Sequence, residues 1–339
     1  LIGLVGSEMC IRDSLMGGTY GTYLSAFAVV AQRLTGAGIG IGVAYKFRES
    51  TYVLLSAAAA GMIGAYASNL IAGTLLSDTG ALVLSGPGEP LGAFVAAYVG
   101  ITIGRLVAGK TKLDLLITPA ITILSGGAVG ILVGPGVSSF MTWLGNLVNW
   151  GTEQQPILMG IVVSVIMGMV LTLPISSAAL GIILGLNGVA AGAATIGCCC
   201  QMVGFAVMSF KENRWGGLVS QGIGTSMLQM GNIIKNPRIW IAPIVTSAIT
   251  GPMATCLFKL QMNGTPVSSG MGTCGFVGQI GVYSGWVADI ANGTKTAITG
   301  FDWAGLILIS FILPAVICPL INMLLKKIGW VKDGDMKLS

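Results

Sequence analysis

The sequence predicts an all-α polytopic membrane protein of about 8–10 transmembrane helices, with broken or re-entrant segments and a weak internal repeat. Three observations predict it. Of 339 residues, 54% are hydrophobic and 9% charged, against about 25% charged in a soluble domain, and the mean hydropathy is +0.86. Apolar runs long enough to cross a bilayer follow one another along the chain, and at ~20 residues per crossing they leave no room for a second, soluble domain. Prolines stand inside or at the start of these runs (Pro119, Pro174, Pro243, Pro252, Pro314 and Pro319). Each frees backbone groups that are tolerated at membrane depth only beside protein or a water-filled cavity.

The first fourteen residues stand apart. Leu4–Ser14, LVGSEMCIRDS, fits neither a signal peptide nor the sequence that follows. It looks like the in-frame translation of a transposon adaptor used in sequencing libraries. Residues 1–14 are therefore expected to be an artefact, and 15–339 a single membrane domain whose natural start is missing.

Charge orders the spans. Basic residues gather at Arg33, Lys46 and Arg48, at Lys110 and Lys112, at Lys235 and Arg238, and in the tail at Lys326, Lys327, Lys332 and Lys337. These loops are expected in the cytoplasm. The net charge of +5 thus reads as an orientation signal, and nucleic acid is not expected as a partner. The acidic or uncharged loops Asp78–Glu89, the segment ending at Glu153, and Asp289–Asp302 are expected outside. Spans then fall at 51–76, 91–109, 115–134, 156–174, about 178–208, 215–234, 239–258 and 303–325. This order leaves Lys211 and Arg214 outside, together with Lys259. The alternative keeps 211–214 inside and makes 215–234 a re-entrant hairpin, which its Gln221, Gly222, Gly224, Gln229 and Gly231 would suit. Sliding the chain by 124 residues matches Gly92 with Gly216, Gly100 with Gly224, Pro119 with Pro243 and Thr122 with Thr246. That same-sense repeat favours the first order and points to transport; chance similarity of two Gly-rich runs is the competing explanation.

Glycines four apart (Gly36/Gly40, Gly38/Gly42, Gly100/Gly104, Gly130/Gly134, Gly181/Gly185, Gly188/Gly192) predict close helix approach. Ionisable residues in or beside spans are Glu89, Arg105 and Glu153, and each is a functional hypothesis by default. Glu153 is followed by Gln154 and Gln155 and preceded by Asn146, Asn149 and Trp150, a set of donors, acceptors and an aromatic face suited to a polyhydroxylated ligand. A solvated loop with an acidic helix start explains it equally. Arg105 is expected to snorkel to the cytoplasmic edge. Gln201, Gln221, Gln229, Asn232 and Gln279, polar within apolar runs, are either interhelical hydrogen bonds or ligand contacts.

Histidine is absent, which removes phosphohistidine relays and His-based ligation or catalysis. Cys198, Cys199 and Cys200 are consecutive, fan about 100° apart on a helix and read as packing residues. No metal, cofactor or catalytic residue is expected. A phosphoryl carrier on this chain is not expected either, since no His or loop-borne reactive Cys is available.

The strings NWGTEQQPILMGIVVSVIMGMVLTLPISSAALGIILGLNGVAAGAATIGCCCQMVGFAVMSF, WGGLVSQGIGTSMLQMGNIIKNPRIWIAPIV and SGMGTCGFVGQIG closely resemble the membrane permeases (enzyme IIC) of the bacterial phosphotransferase system. Within that family they resemble the branch named for toxin regulators after the perfringolysin regulator, from about Leu34 to the tail. The resemblance implies a multi-pass protein of the bacterial inner membrane, a homodimer, in which a sugar bound between helices is phosphorylated by a separate IIB served by IIA. It also implies a sugar-binding glutamate beside a proline in a polar turn, met by Glu153 in TEQQP and next by Glu89 in GEP. Asn146, Gln154, Gln155, Gln201, Gln221 and Asn232 complete the candidate sugar site. Related sugar permeases often add a histidine there; this chain has none. A membrane sensor or regulator with the same fold but no transport, and an ion-coupled secondary transporter, remain the alternatives.

Overall fold

The computed structural model describes residues 19–77, 80–84, 88–110 and 113–338, so the adaptor-like stretch lies outside the described residues. Among them, extended pairing is limited to one bridge between Leu76 and Leu82; the rest is helix and turn. Among the described residues five stretches are long and apolar enough to cross a membrane: Pro90–Val107, Asp114–Thr152, Gly188–Met208, Pro237–Leu257 and Gly300–Lys327. Thr51–Ala65 and Pro156–Thr172 are shorter apolar helices. The protein is thus an all-α polytopic membrane protein. Its chain forms two compact units, one of residues 26–144 and one chiefly of the chain from Gly145 onward.

The first unit contains α2 (Thr35–Lys46), α3 (Thr51–Ala65), the short α4 (Ala67–Ile71), α5 (Pro90–Val107) and most of α6 (Asp114–Thr152), after a leading helix α1 (Thr19–Arg33). Ser50 starts α3 by accepting the Val53 N–H, and Pro90 starts α5, where its missing N–H costs nothing. Lipid tails give no hydrophobic drive between helices, so contact depends on small residues. Gly36 and Gly40 of α2 meet Gly61 and Ala57 of α3, Gly64 of α3 meets Gly92 of α5, and Gly100 of α5 meets Gly126 of α6. A Cβ on Gly36 would stand 2.8 Å from the Gly61 carbonyl oxygen. Gly38 and Gly42 share the spacing but touch nothing, so spacing alone does not make a seam.

α6 differs from its expected 115–134 by running on to Thr152 through Pro119 and Pro135. At 1.5 Å per residue it is about 58 Å long, roughly twice the hydrocarbon core. Beyond Pro135 the buried Val137, Met141, Leu144 and Val148 alternate with exposed Phe140, Trp143 and Trp150. That amphipathic 3.6-residue period carries the helix past a proline that would otherwise end it.

The second unit is built around α9 (Gly188–Met208). Every residue from 191 to 206 is buried, as in a helix apolar on all sides. Its 21 residues span about 30 Å, so it supplies an axis with two ends. Two other stretches cross with it: a 3-10 turn (Pro237–Trp240), α12 (Ile241–Pro252) and a π turn (Met253–Leu257), and then α14 (Gly300–Ile307), a π turn (Leu308–Ile312) and α15 (Leu313–Lys327). The π turns flank Pro252 and Pro314, the expected sites of broken helix. The prolines aligned by the repeat, Pro119 and Pro243, both lie inside helices, whereas Gly100 is mid-helix and Gly224 closes a π turn.

Three further segments enter the unit and turn back. α7 (Pro156–Thr172) runs beside α9 in the same sense, with Gly168 against Gly197 and Thr172 bonded to Gln201. It stops at extended Leu173 before Pro174, a dipeptide that disfavours helix. The chain then reverses: Ser176 caps α8 (Ser177–Ile183), Ser177 donates to the Gly270 carbonyl 2.6 Å away, and the Gly188 N–H finally meets Asn263. The expected crossings 156–174 and 178–208 are therefore corrected to one re-entrant segment followed by the crossing α9. From the Met208 end, α10 (Phe210–Val219) leads through a π turn (Ser220–Gly224), extended Thr225 and a 3-10 turn (Ser226–Gln229) to α11 (Met230–Lys235) and back. From the Gly188 end, Phe258–Phe276 passes through 3-10 turns at Pro266–Gly270 and Cys274–Phe276 and leaves along α13 (Val277–Ala291). Asp289, near the end of α13, takes the Asn263 amide at 3.0 Å on both oxygens, closing that loop at the end where it began.

The tail decides the side of the 211–214 loop. Glu212 accepts the N–H groups of Gly334 and Met336 at 2.9 and 3.0 Å, and Asn213 bonds Met336 and Leu338. Asn236 reaches the Trp330 carbonyl, and Arg238 lies over the Trp330 ring. The 211–214 loop, the 235–238 loop and the tail thus share one end of the unit. This contradicts the order in which 215–234 crosses and supports the re-entrant alternative. Lys211, Arg214, Lys235, Arg238 and the tail lysines all gather at this end, which the positive-inside rule assigns to the cytoplasm.

Candidate functional site

The tips of the three re-entrant segments meet beside Cys198–Gln201 of α9. Thr172, at the first tip, donates to the Gln201 Oε1 at 3.3 Å and shares a 2.9 Å hydrogen bond with Ser226 of the second. Thr273, in the third, donates to the Gly222 carbonyl at 2.6 Å, linking third tip to second. Gly272 has φ +53 and packs on Cys198 so closely that a Cβ would collide. Only glycine allows both the left-handed turn and that approach.

Irregular backbone at membrane depth needs partners. Much of the second hairpin is satisfied internally: Gln221 donates to Ser209 at 2.8 Å, Gln229 to Gln221 at 2.8 Å and to the Met336 carbonyl at 3.0 Å, and Asn232 to Gln229 at 2.8 Å. Gln221, Gln229 and Asn232 therefore form a structural chain from α9's end to the tail. Gln201 is different. Its Oε1 accepts the Trp240 indole N–H at 2.9 Å, yet its Nε2 is buried without a partner. Gln279 donates to the Cys199 sulfur at 3.2 Å while its Oε1 is buried and unpartnered. A buried polar atom left unpaired costs about 1–3 kcal/mol, so a free amide nitrogen on Gln201 and a free amide oxygen on Gln279 mark a place where a ligand with hydroxyl groups would be stabilised.

The eight residues expected at the site fall into four groups. Gln201 stands at the tips; Gln221 and Asn232 brace the second hairpin from behind. Asn146 is exposed near the end of α6, and Glu153, Gln154 and Gln155 form the α6–α7 turn, where Glu153 and Gln155 are exposed and Gln154 bonds back to the Trp150 carbonyl. That turn is some 16 residues of α7, about 24 Å, from Thr172. Glu89 belongs to the other unit. It precedes α5 with one carboxylate oxygen buried and unpartnered, and burial pushes its pKa up to about 7. Arg105 is exposed in the last turn of α5, where the helix dipole favours a cation. The three cysteines point three ways, Cys198 towards Met167, Cys199 to Gln279 and Cys200 to Thr250, as packing residues would. Thr172, Ser226, Trp240 and Thr273 were not singled out from the sequence. Short hydroxylated residues beside glycines in an apolar run were the available signal.

Half-buried helices broken at mid-depth, with amides and an indole at the break, are the arrangement found where transporters hold a polar substrate. A family model described as Phosphotransferase system, EIIC matches residues 5–338. The chain belongs to this EIIC family. No curated protein and no solved structure matches it. Membership makes this EIIC chain a multi-pass membrane component of a sugar phosphotransferase system.

Proposed function

We propose that this EIIC chain is the sugar-translocating subunit of a phosphoenolpyruvate-dependent phosphotransferase system in the bacterial inner membrane. A sugar binds among the re-entrant tips, and a separate IIB, recharged by IIA, phosphorylates it from the tail end. The observation that carries this reading is the buried, unpartnered Nε2 of Gln201 where the three tips meet. There the amide donates to a sugar hydroxyl, and Trp240 and Thr172 fix its orientation. The chain offers no phosphoryl-carrying side chain, so its role is to select, hold and expose the hydroxyl.

Uptake of labelled sugars into vesicles supplied with phosphoenolpyruvate and the soluble phosphotransferase proteins tests this. Gln201→Ala is expected to lower uptake at least 100-fold, because it removes a donor to a bound hydroxyl, while Glu153→Gln leaves it within about twofold. Loss with Glu153→Gln and not with Gln201→Ala would move the sugar to the outer turn. The resemblance of the quoted strings also supports a toxin-regulator-like branch and a homodimer as part of this reading. A deletion that alters transcription while every sugar tried stays outside would establish the regulator without transport.

A further inference from the structure

The end of the second unit opposite the tail holds a cavity of about 270 Å³, lined among others by Lys259, Gln261, Trp286, Asp289, Lys295 and Asp302. We propose that this cavity is an entry site for a neutral, polyhydroxylated ligand of monosaccharide size, facing the side from which substrate arrives. The proposal rests on the sugar-permease reading and adds to it a second, peripheral site whose nearest wall is about 10 Å from the re-entrant tips.

Its walls are fixed by charge. Lys295 bonds Asp302 at 2.8 Å and lies over the Trp286 ring, 5.5 Å from its centroid. Asp302 also closes a capping box with Thr299, and Asp289 is held by the Asn263 amide. The Trp286 ring packs edge-on against Trp303. Two cations and two carboxylates sum to zero, so the cavity offers no net attraction to an anion or a cation. It does offer donors and acceptors in comparable number, the pattern that fits hydroxyl groups. Lys259 supplies the uncommitted donors. Among the described residues no carboxylate pairs with it, and its backbone is held at φ +44 two residues past a π turn, a conformation that non-glycine residues adopt rarely and at a cost. The volume is near the lower end of small-molecule sites.

The cavity also leads inward. Trp286 at its wall and Gln279 at the tips are seven residues apart on α13, hence two turns along one face, about 10 Å. A ligand leaving the cavity along this face reaches the unpartnered Gln279 oxygen.

Binding to the full chain in lipid nanodiscs tests the proposal, with glucose, N-acetylglucosamine, mannitol and cellobiose as probes, followed by saturation-transfer NMR and tryptophan emission, and with sulfate and citrate as anionic controls. We expect one or more sugars to bind, Lys259→Ala to weaken binding about tenfold in a Gln201→Ala background without changing the melting temperature, and Asp289→Asn to act in the same direction. Sugar binding that Gln201→Ala abolishes outright, or that Lys259→Ala leaves unchanged, would overturn the entry site and leave the permease reading standing. Competition by sulfate or citrate would overturn the neutral-ligand assignment. Absence of binding by every sugar tried would remove the permease reading and the entry site together.

Discussion

Glu89 shows how a single residue carries a measurable signature. Its carboxyl sits before α5 with one oxygen buried and unpartnered, and burial raises its pKa from 4.5 to about 7. The folded state therefore binds a proton more tightly than the unfolded state, so stability falls as pH rises from about 4.5 to 7 and stays low above. Glu89→Gln is expected to raise stability at pH 8, read as a higher melting temperature, and to flatten the pH dependence of the unfolding free energy over that window by up to roughly 3 kcal/mol. A steep dependence retained in the variant would place the titrating group elsewhere. The sequence singled out Glu89 and Gln201 because charge or amide in an apolar run is conspicuous. It could not show that one oxygen of Glu89 and the nitrogen of Gln201 lack partners, since that depends on Ala65, Thr172 and Trp240 arriving from elsewhere in the chain.

At the scale of elements, the apolar runs and their prolines were legible, and the turns at Leu173–Pro174 and Thr225 fall where Pro and Gly-rich sequence promised breaks. Whether a broken run crosses or returns was not legible, because the answer lies in bonds between residues more than 100 apart. Glu212 to Gly334 is the plainest case. The third re-entrant segment was missed outright: Ser269–Gly281 was noticed as a string, but its glycines pack on Ser177 and Cys198, contacts that no local pattern announces. The tail is a strap over the second hairpin, with Met336 fully buried in the cluster of Phe205, Ile233 and Ile239. Glu212→Gln weakens two N–H···carboxylate bonds. The variant is expected to speed amide exchange at Gly334 and Met336 about tenfold or more while leaving α9 protected. Unchanged exchange would show that the strap is held by packing alone.

For the whole molecule, family membership and the membrane setting fit the proposed division of labour, in which the membrane chain holds the sugar and another chain supplies the phosphoryl group. Lys211, Arg214, Lys235, Arg238 and the tail lysines collect at one end of the second unit and the charge-balanced cavity lies at the other, so the proposed entry site and the cation-rich end that the positive-inside rule assigns to the cytoplasm are at opposite ends. The α6–α7 turn stood out in sequence because polar density is visible there, whereas the tips are mostly Thr, Ser and Gly and looked like packing. The central claim is that sugar crosses only with phosphorylation. The most direct measurement is the chemical form of labelled sugar recovered from the vesicle lumen after uptake driven by phosphoenolpyruvate. The account predicts sugar phosphate, lost in Gln201→Ala and insensitive to collapse of the proton gradient; free sugar accumulated in step with that gradient would contradict it.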